Sequence, residues 1–345
     1  MAAMSKIKLG LTVVSAGASI IAFVAQPTVR AFLLKWSGFN APGGAWRILA
    51  VLFALANLKN LPFVWHLRFL RAFTYQLYLQ PSTIPPSALF LPIITQTRTP
   101  LLEMDYNLHK SNSTYFSDMD ISRTHFFTAL IRNAIRKSSR LYGHNKAVAA
   151  AGSAEGSRAK HMIALGGVSC LFKKEILPYQ KFEMWTRLLS WDRKWFYIVT
   201  HLVRPGVAKP KSWVLQPWRK RNVVEAEEVD KDKLKGAIFA TALAKYVVKK
   251  GRLTIAPEQV LFDADLVPAK PDGWVFKSEA NGHANGDVEG VLPTFSGEDW
   301  DWDRIEAERL RGLEIAQHFT EMDALHDEFD GGSKGTLGEY ADLLF

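Results

Sequence analysis

The feature that most constrains the fold is a long segment, residues 112–140, whose apolar side chains cover most of the circumference of a helix. One set recurs at helical spacing, and a second set lies on the other faces: Phe116, Met119, Phe127, Leu130, Ile131 and Ala134, then Tyr115, Ile121, Phe126 and Ile135. A helix that is apolar on most sides is typically buried. The segment therefore predicts a central helix that other elements cover.

Predicted strands precede and follow this helix in the sequence. Three follow in quick succession at residues 162–174, 181–191 and 194–204. The first is rich in apolar residues, and the side chains of the other two alternate between two distinct faces. Further strands are predicted at residues 237–248 and 252–255, and an entry strand at 90–97 and 101–105 precedes the helix, with a break at Pro100. This order predicts an α+β domain in which a curved antiparallel sheet wraps a long central helix.

Composition excludes several classes of function. The chain has 345 residues, a net charge of +9 and a single cysteine, Cys170, so a disulfide framework and a cysteine-based zinc site are both excluded. A basic chain can meet nucleic acid, an anionic membrane or a phosphorylated ligand, or its lysines can simply be a solvated surface. The sequence contains no glycine-rich phosphate loop and no nucleic-acid-binding motif, so no nucleic-acid partner is expected.

The N-terminal region favours membrane association. Residues 7–25 are mostly apolar and carry one charge, Lys8, and despite Thr12, Ser15 and Ser19 the stretch is long enough to span a bilayer. A cleaved signal peptide and an ordinary buried helix are the alternatives. Residues 45–79 predict one or two helices in which aromatic residues stand beside arginines, which suits a membrane interface or a helix packed on the domain. Which membrane is involved, and on which side, is left open.

Breaks in composition divide the chain into five parts. They are a hydrophobic N-terminal segment, a helical region ending in prolines, the main domain, a polar linker and an acidic amphipathic helix, at residues 1–35, 36–87, 88–262, 263–297 and 298–345. The last helix is expected to pack on its own chain or on a partner subunit.

The chemistry concentrates where the entry strand meets the long helix. The strand is expected to end at Asp105, a polar stretch containing His109 follows, and the helix begins near Asn112. A helix start offers unpaired N–H groups and a partial positive charge, which can bind an oxyanion or polarise a carbonyl. A carboxylate, an imidazole and such a helix start are therefore expected to lie close together.

The spacing of these residues also resembles a known family. Asp105, His109, Asn112 and Tyr115 form D-x-x-x-H-x-x-N-x-x-Y, which resembles the D-x-x-G-H-x-N-N-x-x-Y stretch of hotdog-fold thioesterases of the 4-hydroxybenzoyl-CoA thioesterase type. The chain is most similar to thioesterase-like proteins with an N-terminal hydrophobic segment, including those from fungal natural-product gene clusters. The resemblance covers residues 101–262 and departs from the pattern at Leu108, in place of glycine, and at Ser111, in place of the first asparagine.

This resemblance implies a hotdog fold, a homodimer, no cofactor, and hydrolysis of an acyl-CoA or acyl-carrier thioester, in lipid or secondary-metabolite biosynthesis. It assigns Asp105 as general base or nucleophile and His109 as the residue that orients Asp105 or lines the pocket. Backbone N–H groups near the helix start, around Ser111, Asn112 and Ser113, would hold the oxyanion. The ring of Tyr115 would face the acyl site.

Each assignment has a structural alternative. Asp105 can be a turn former, His109 a surface residue, Asn112 a helix cap and Tyr115 a core residue. Other hotdog families keep a catalytic acid on the helix, where Asp118 and Asp120 stand here, and Cys170 is expected to pack in the core. At the level of function, the alternatives are a non-catalytic acyl-binding or scaffold protein and a hotdog dehydratase.

Overall fold

A computed structural model describes residues 26–38, 42–148, 161–219, 231–270, 301–329 and 337. The chain divides into two compact units, residues 1–64 with 100–102, and residues 65–99 with 103–345. In the first unit the helices are α1, Pro27–Ser37, and α2, Gly44–Ala56, followed by a 3-10 turn at Leu58–Asn60. Gly38 ends α1 with a φ of +60°, a conformation that glycine adopts without strain.

None of the helices in the described ranges is long and apolar enough to cross a bilayer. The apolar stretch at residues 7–25, which we predict to be a membrane anchor, lies outside those ranges.

The second unit contains the sheet and its central helix. Its helices are α3, Val64–Thr74, which continues as a π-helical turn at Tyr75–Leu79, α4, Asn112–Val148, α5, Lys231–Gly236, α6, Pro257–Asp263, and α7, Trp302–Glu321. Its strands are β1, Ile93–Arg98, β2, His161–Phe172, β3, Lys181–Trp191, β4, Phe196–Val203, β5, Ile238–Lys250, and β6, Leu253–Ile255.

The strands form one antiparallel sheet in the order β1-β3-β4-β5-β2, and β6 pairs with β5. Bulges interrupt the register between Leu188 and Ser190 and between Leu165 and Gly167. The sheet is not closed, because β1 and β2 lie at its two ends. The predicted order of a strand, a long helix and then an antiparallel run is confirmed.

The predicted strand at residues 101–105 is wrong. The chain forms a short 3-10 turn at Leu101–Glu103 and then a single antiparallel bridge between Met104 and Lys110. Pro100 has no N–H to donate to a strand ladder, so the entry strand ends at Arg98 instead. Asp105 consequently lies in a loop rather than at the end of a strand.

Two kinds of contact fix α4 against the inner face of the sheet. Its apolar side chains, including Phe126, Leu130 and Ile131, pack among Phe196 and Ile198 in a fully buried core. A chain of hydroxyl groups then crosses the layers: Thr95 to Ser122 at 2.8 Å, Ser122 to Thr186 at 2.8 Å, and Thr186 to Thr200 at 3.0 Å. These satisfied polar contacts set the helix at one position on the sheet.

Helix α7 covers part of the outer face of the same sheet. Ser190 Oγ donates to the carbonyl of Arg309 at 2.6 Å, and Arg309 Nη1 donates to the carbonyl of Trp191 at 3.0 Å. The closest approach is at Gly312, where an added Cβ would lie 2.1 Å from the carbonyl oxygen of Leu189. Only glycine permits α7 to lie this close to β3.

Candidate active site

The loop between β1 and α4 is closed by backbone hydrogen bonds. The N–H of Asp105 donates to the carbonyl of His109 at 2.9 Å, and the N–H of Leu108 donates back to the carbonyl of Asp105 at 3.0 Å. The N–H of Ser111 donates to the carbonyl of Glu103 at 2.7 Å. The loop therefore returns on itself and delivers the chain to the start of α4.

Asp105 forms an Asx turn inside this loop. Its Oδ1 accepts the N–H groups of Asn107 and His109 at 2.9 and 3.2 Å, and its side chain is half-buried. Its Oδ2 has no hydrogen-bond partner in the described parts of the chain. One oxygen thus fixes the carboxylate while the other remains available to a water molecule or a ligand.

The imidazole of His109 is directed away from Asp105. Its Nε2 lies 3.1 Å from Oε2 of Glu175, whose side chain is exposed. The two predicted catalytic residues therefore meet only through backbone groups of His109, whose N–H donates to Oδ1 of Asp105 and whose carbonyl accepts the N–H of Asp105. The structure places them in the same loop without a side-chain contact between them.

The first turn of α4 provides two available amides. The N–H of Thr114 donates to the carbonyl of Ser111 at 3.0 Å, and the N–H of Ser111 is already bonded to Glu103. Within the described ranges, the N–H groups of Asn112 and Ser113 have no acceptor. Because the helix begins at Asn112, the capping position belongs to Ser111, and the amides that could hold an oxyanion are those of Asn112 and Ser113.

Tyr115 is a core residue that lies near the candidate carboxylate. It is buried, its ring meets Phe172 edge-on at 5.0 Å, and it belongs to a cluster with Met119 and Phe182. Burial, and then the charges of Cys170, Asp105 and Glu175, raise its pKa to about 12. The phenol is therefore neutral at ordinary pH.

A buried ionic cluster that no sequence pattern predicts lies beneath the loop. The ammonium of Lys110 lies 2.5 Å from Oε2 of Glu103 and 3.0 Å from Oδ2 of Asp118, and all three side chains are buried. Nη2 of Arg68 lies 3.0 Å from Oδ1 of Asp118. The cluster ties the loop, α4 and α3 together. No local pattern reveals it, because Arg68 and Asp118 lie 50 residues apart.

Both acids of α4 named above are engaged in ion pairs. Both oxygens of Asp118 are bonded to buried or half-buried cations, and Asp120 forms an i,i+3 pair with Arg123 at 2.7 Å. Asp118 therefore acts as a structural ion rather than as an available acid.

Among the described residues, neither Cys170 nor a metal site is a candidate to replace Asp105 in the reaction. Burial raises the pKa of the Cys170 thiol to about 11, so the thiol stays protonated and is a poor nucleophile. The described ranges contain no group of His, Cys, Asp and Glu side chains that could hold a metal ion.

Leu108 adopts a backbone conformation that disfavours its side chain. Its φ is +61°, in the left-handed region, and its side chain is largely exposed. A non-glycine residue pays roughly 1–2 kcal/mol there. Leu108 occupies the position at which the hotdog-fold thioesterases that this chain resembles have glycine. The loop therefore keeps a backbone conformation that favours glycine, although the residue is leucine.

Replacing Leu108 with glycine is expected to stabilise the protein. Glycine relieves the left-handed strain but also stabilises the unfolded chain by giving it more conformational entropy. Because the relief of strain is the larger free energy, Leu108→Gly should raise the free energy of unfolding by about 0.5–1 kcal/mol. Urea denaturation measures it. The matched control is the neighbouring Asn107→Gly, which relieves no such strain and should be neutral or destabilising. If both variants shift stability equally, the strain is not at position 108.

Comparison with known proteins gives matches along most of the chain. Residues 99–230 match the model of the thioesterase-like superfamily. Thioesterase poxG of Penicillium oxalicum is 36% identical over 310 residues, covering 86% of this chain and 91% of that protein. "Probable thioesterase atnL" of Emericella nidulans is 33% identical over 303 residues, covering 85% and 91%. Thioesterase lcsJ of Purpureocillium lilacinum is 29% identical over 328 residues, covering 86% and 93%.

Proposed function

This chain belongs to the thioesterase-like superfamily, and from that membership we propose that it hydrolyses an acyl-CoA or acyl-carrier thioester in the loop between β1 and α4. The observation that supports the proposal is that one loop and the helix start after it hold an available oxygen on Asp105 and two available amides, at Asn112 and Ser113. Thioester hydrolysis needs a base or nucleophile and a site for negative charge on the carbonyl oxygen.

The proposed reaction uses a water molecule held by Oδ2 of Asp105. The water oxygen attacks the thioester carbonyl carbon, and its proton moves to Asp105. The N–H groups of Asn112 and Ser113 donate to the oxyanion that forms, and the positive end of the α4 dipole adds to their effect. Collapse of the tetrahedral intermediate breaks the C–S bond, and the leaving thiolate takes up the proton that Asp105 received from the water. A thiol with a pKa of about 8.5 leaves readily, so one carboxylate and one oxyanion site suffice.

A panel of thioesters tests this proposal. The full chain is mixed with acyl-CoA thioesters of graded chain length and with the corresponding acyl-carrier thioesters, and free thiol is followed with a chromogenic reagent. We expect turnover on at least one member, and the preferred member identifies the acyl class. An absence of thiol release on every member would contradict the proposal.

A non-catalytic acyl-binding protein is the second candidate. It is supported by two features of the loop: the N–H of Ser111 is bonded to Glu103, and the His109 imidazole is paired with Glu175. Both groups would belong to the site according to the family resemblance. Tight binding of an acyl-CoA thioether analogue without any thiol release from the matching thioester would favour this candidate.

We also propose that the protein is a homodimer joined through β2. In the described ranges β2 pairs only with β5, so its other edge is open. It carries the exposed apolar side chains Met162, Leu165, Leu171 and Phe172. An exposed apolar edge strand is a template for pairing with a second strand.

A charge on this edge is expected to separate the subunits. Leu171→Lys places an ammonium in the proposed interface and should shift the protein from dimer to monomer, measured by light scattering after size-exclusion chromatography. The control is Leu253→Lys, since Leu253 is equally exposed but lies on β6. A wild-type monomer, or a dimer that survives Leu171→Lys, would contradict the assignment of β2.

The location of the protein is a proposal as well. The apolar stretch at residues 7–25 is long enough to hold the protein on a membrane, with the second unit in the aqueous phase. Membrane pelleting of the full chain, with and without this stretch, tests the assignment.

A further inference from the structure

Helix α2 exposes large apolar side chains over more than half of its circumference. Six of them are at least 50% exposed: Trp46, Leu49, Val51, Leu52, Phe53 and Leu55. Successive helical residues point about 100° apart, so these six side chains extend over roughly 220° of the circumference. The remaining sector holds Arg47, Ala50 and Ala54. A helix on the surface of a soluble domain would instead expose mainly polar residues and turn its apolar stripe to the core.

The dimensions of α2 limit what can cover it. The exposed apolar face of α2 is wider than the stripe that an ordinary amphipathic helix buries against one neighbour. Its 13 residues extend over roughly 20 Å, less than the roughly 30 Å of a bilayer core. The helix therefore cannot cross a membrane, but it is long enough to lie in the interface or to enter one leaflet.

The charge around α2 points to an anionic surface. Residues 1–102 contain nine of the 43 Lys and Arg residues and none of the 34 acidic residues, so this stretch carries the whole net charge of +9. Four of these cations lie on or beside α1 and α2: Arg30, Lys35, Arg47 and Lys59. An apolar helix surrounded by cations complements a membrane surface that contains acidic lipids.

We propose that α1 and α2, residues 27–56, bind the interface of an anionic lipid bilayer, with the apolar residues of α2 among the acyl chains and the cations at the headgroups. This contact is separate from the apolar stretch at residues 7–25, and it does not depend on the proposed catalysis. Two such contacts together hold a protein on a membrane far more firmly than either alone.

A site-specific label tests the proposal on the full chain. In a Cys170→Ala background, Leu52→Cys carries an environment-sensitive fluorophore, and Leu253→Cys, an exposed leucine on β6, carries the same fluorophore as the control. Vesicles of phosphatidylcholine with phosphatidylserine are added, with or without a nitroxide on the lipid acyl chain. We expect the label at position 52 to shift to shorter wavelength and to be quenched by the nitroxide, and the label at position 253 to do neither.

Several results would overturn the proposal. If the protein binds the vesicles while the label at position 52 stays accessible to aqueous iodide, another segment makes the contact. If the label is already shielded before vesicles are added, a second copy or another part of the chain covers α2. Equal insertion into vesicles of phosphatidylcholine alone would remove the role assigned to the cations, and an absence of binding would remove the surface altogether.

Discussion

Replacement of Lys110 with methionine is expected to lower the free energy of unfolding by about 3–5 kcal/mol, since it removes one partner of a buried ionic cluster. Methionine keeps most of the volume of the side chain but not its charge. Glu103 and Asp118 would then lose the ammonium that lies 2.5 and 3.0 Å from their oxygens, while both remain buried. Urea denaturation measures the loss, which is a large fraction of the roughly 5–15 kcal/mol by which an ordinary domain is stable.

Two further variants separate this effect from a general effect of removing a lysine. Lys137 pairs with Asp265 at 2.6 Å, but both side chains are about half exposed, so Lys137→Met should cost less than about 1 kcal/mol. The double variant Lys110→Met/Glu103→Gln removes one buried carboxylate together with the ammonium, and it should recover part of the loss. Equal losses for Lys110→Met and Lys137→Met would contradict the buried cluster.

Replacement of Asp105 with asparagine is expected to lower the turnover number by about 10²–10⁴-fold, the usual contribution of a general base. The asparagine side chain keeps an oxygen that can accept the N–H groups of Asn107 and His109, so the Asx turn should survive. Thermal unfolding should therefore match that of the wild type while steady-state thiol release falls.

A second carboxylate in the same region provides the matched control. Glu175 is exposed and pairs with the imidazole of His109, so Glu175→Gln removes a nearby negative charge without touching Asp105. We expect its turnover number to stay within about threefold of the wild type, since an exposed pair contributes little. A comparable loss in Glu175→Gln would assign the effect to the local charge rather than to Asp105.

Local patterns predict the elements of the second unit well. Strand β3 occupies the predicted residues, Lys181–Trp191, because alternation along it reflects one buried and one less buried face. Helix α4 begins at Asn112 as predicted, since a polar run meets an apolar helical repeat there. Asp105 and the helix start lie within a few residues of each other, so their proximity follows from the chain itself.

Contacts between distant parts of the chain are what sequence patterns miss. Lys110 reads as an ordinary solvated lysine, but it is buried because Glu103, Asp118 and two aromatic rings surround it in the folded chain. The side-chain direction of His109 likewise depends on Glu175, which lies beyond β2. The short apolar run before Asp105 resembles a strand, but Pro100 ends the strand pairing and the run forms a 3-10 turn at Leu101–Glu103.

The most direct test of the central claim is a single-turnover measurement of thiol release, with the full chain in excess over its preferred acyl-CoA thioester. Excess enzyme removes product release as a limiting step, so the observed rate reports the chemical step. We expect rapid release by the wild type and a rate at least about 10²-fold lower for Asp105→Asn with the fold intact. Equal rates in the two proteins would contradict the assignment of Asp105, and no release by the wild type would contradict thioester hydrolysis itself.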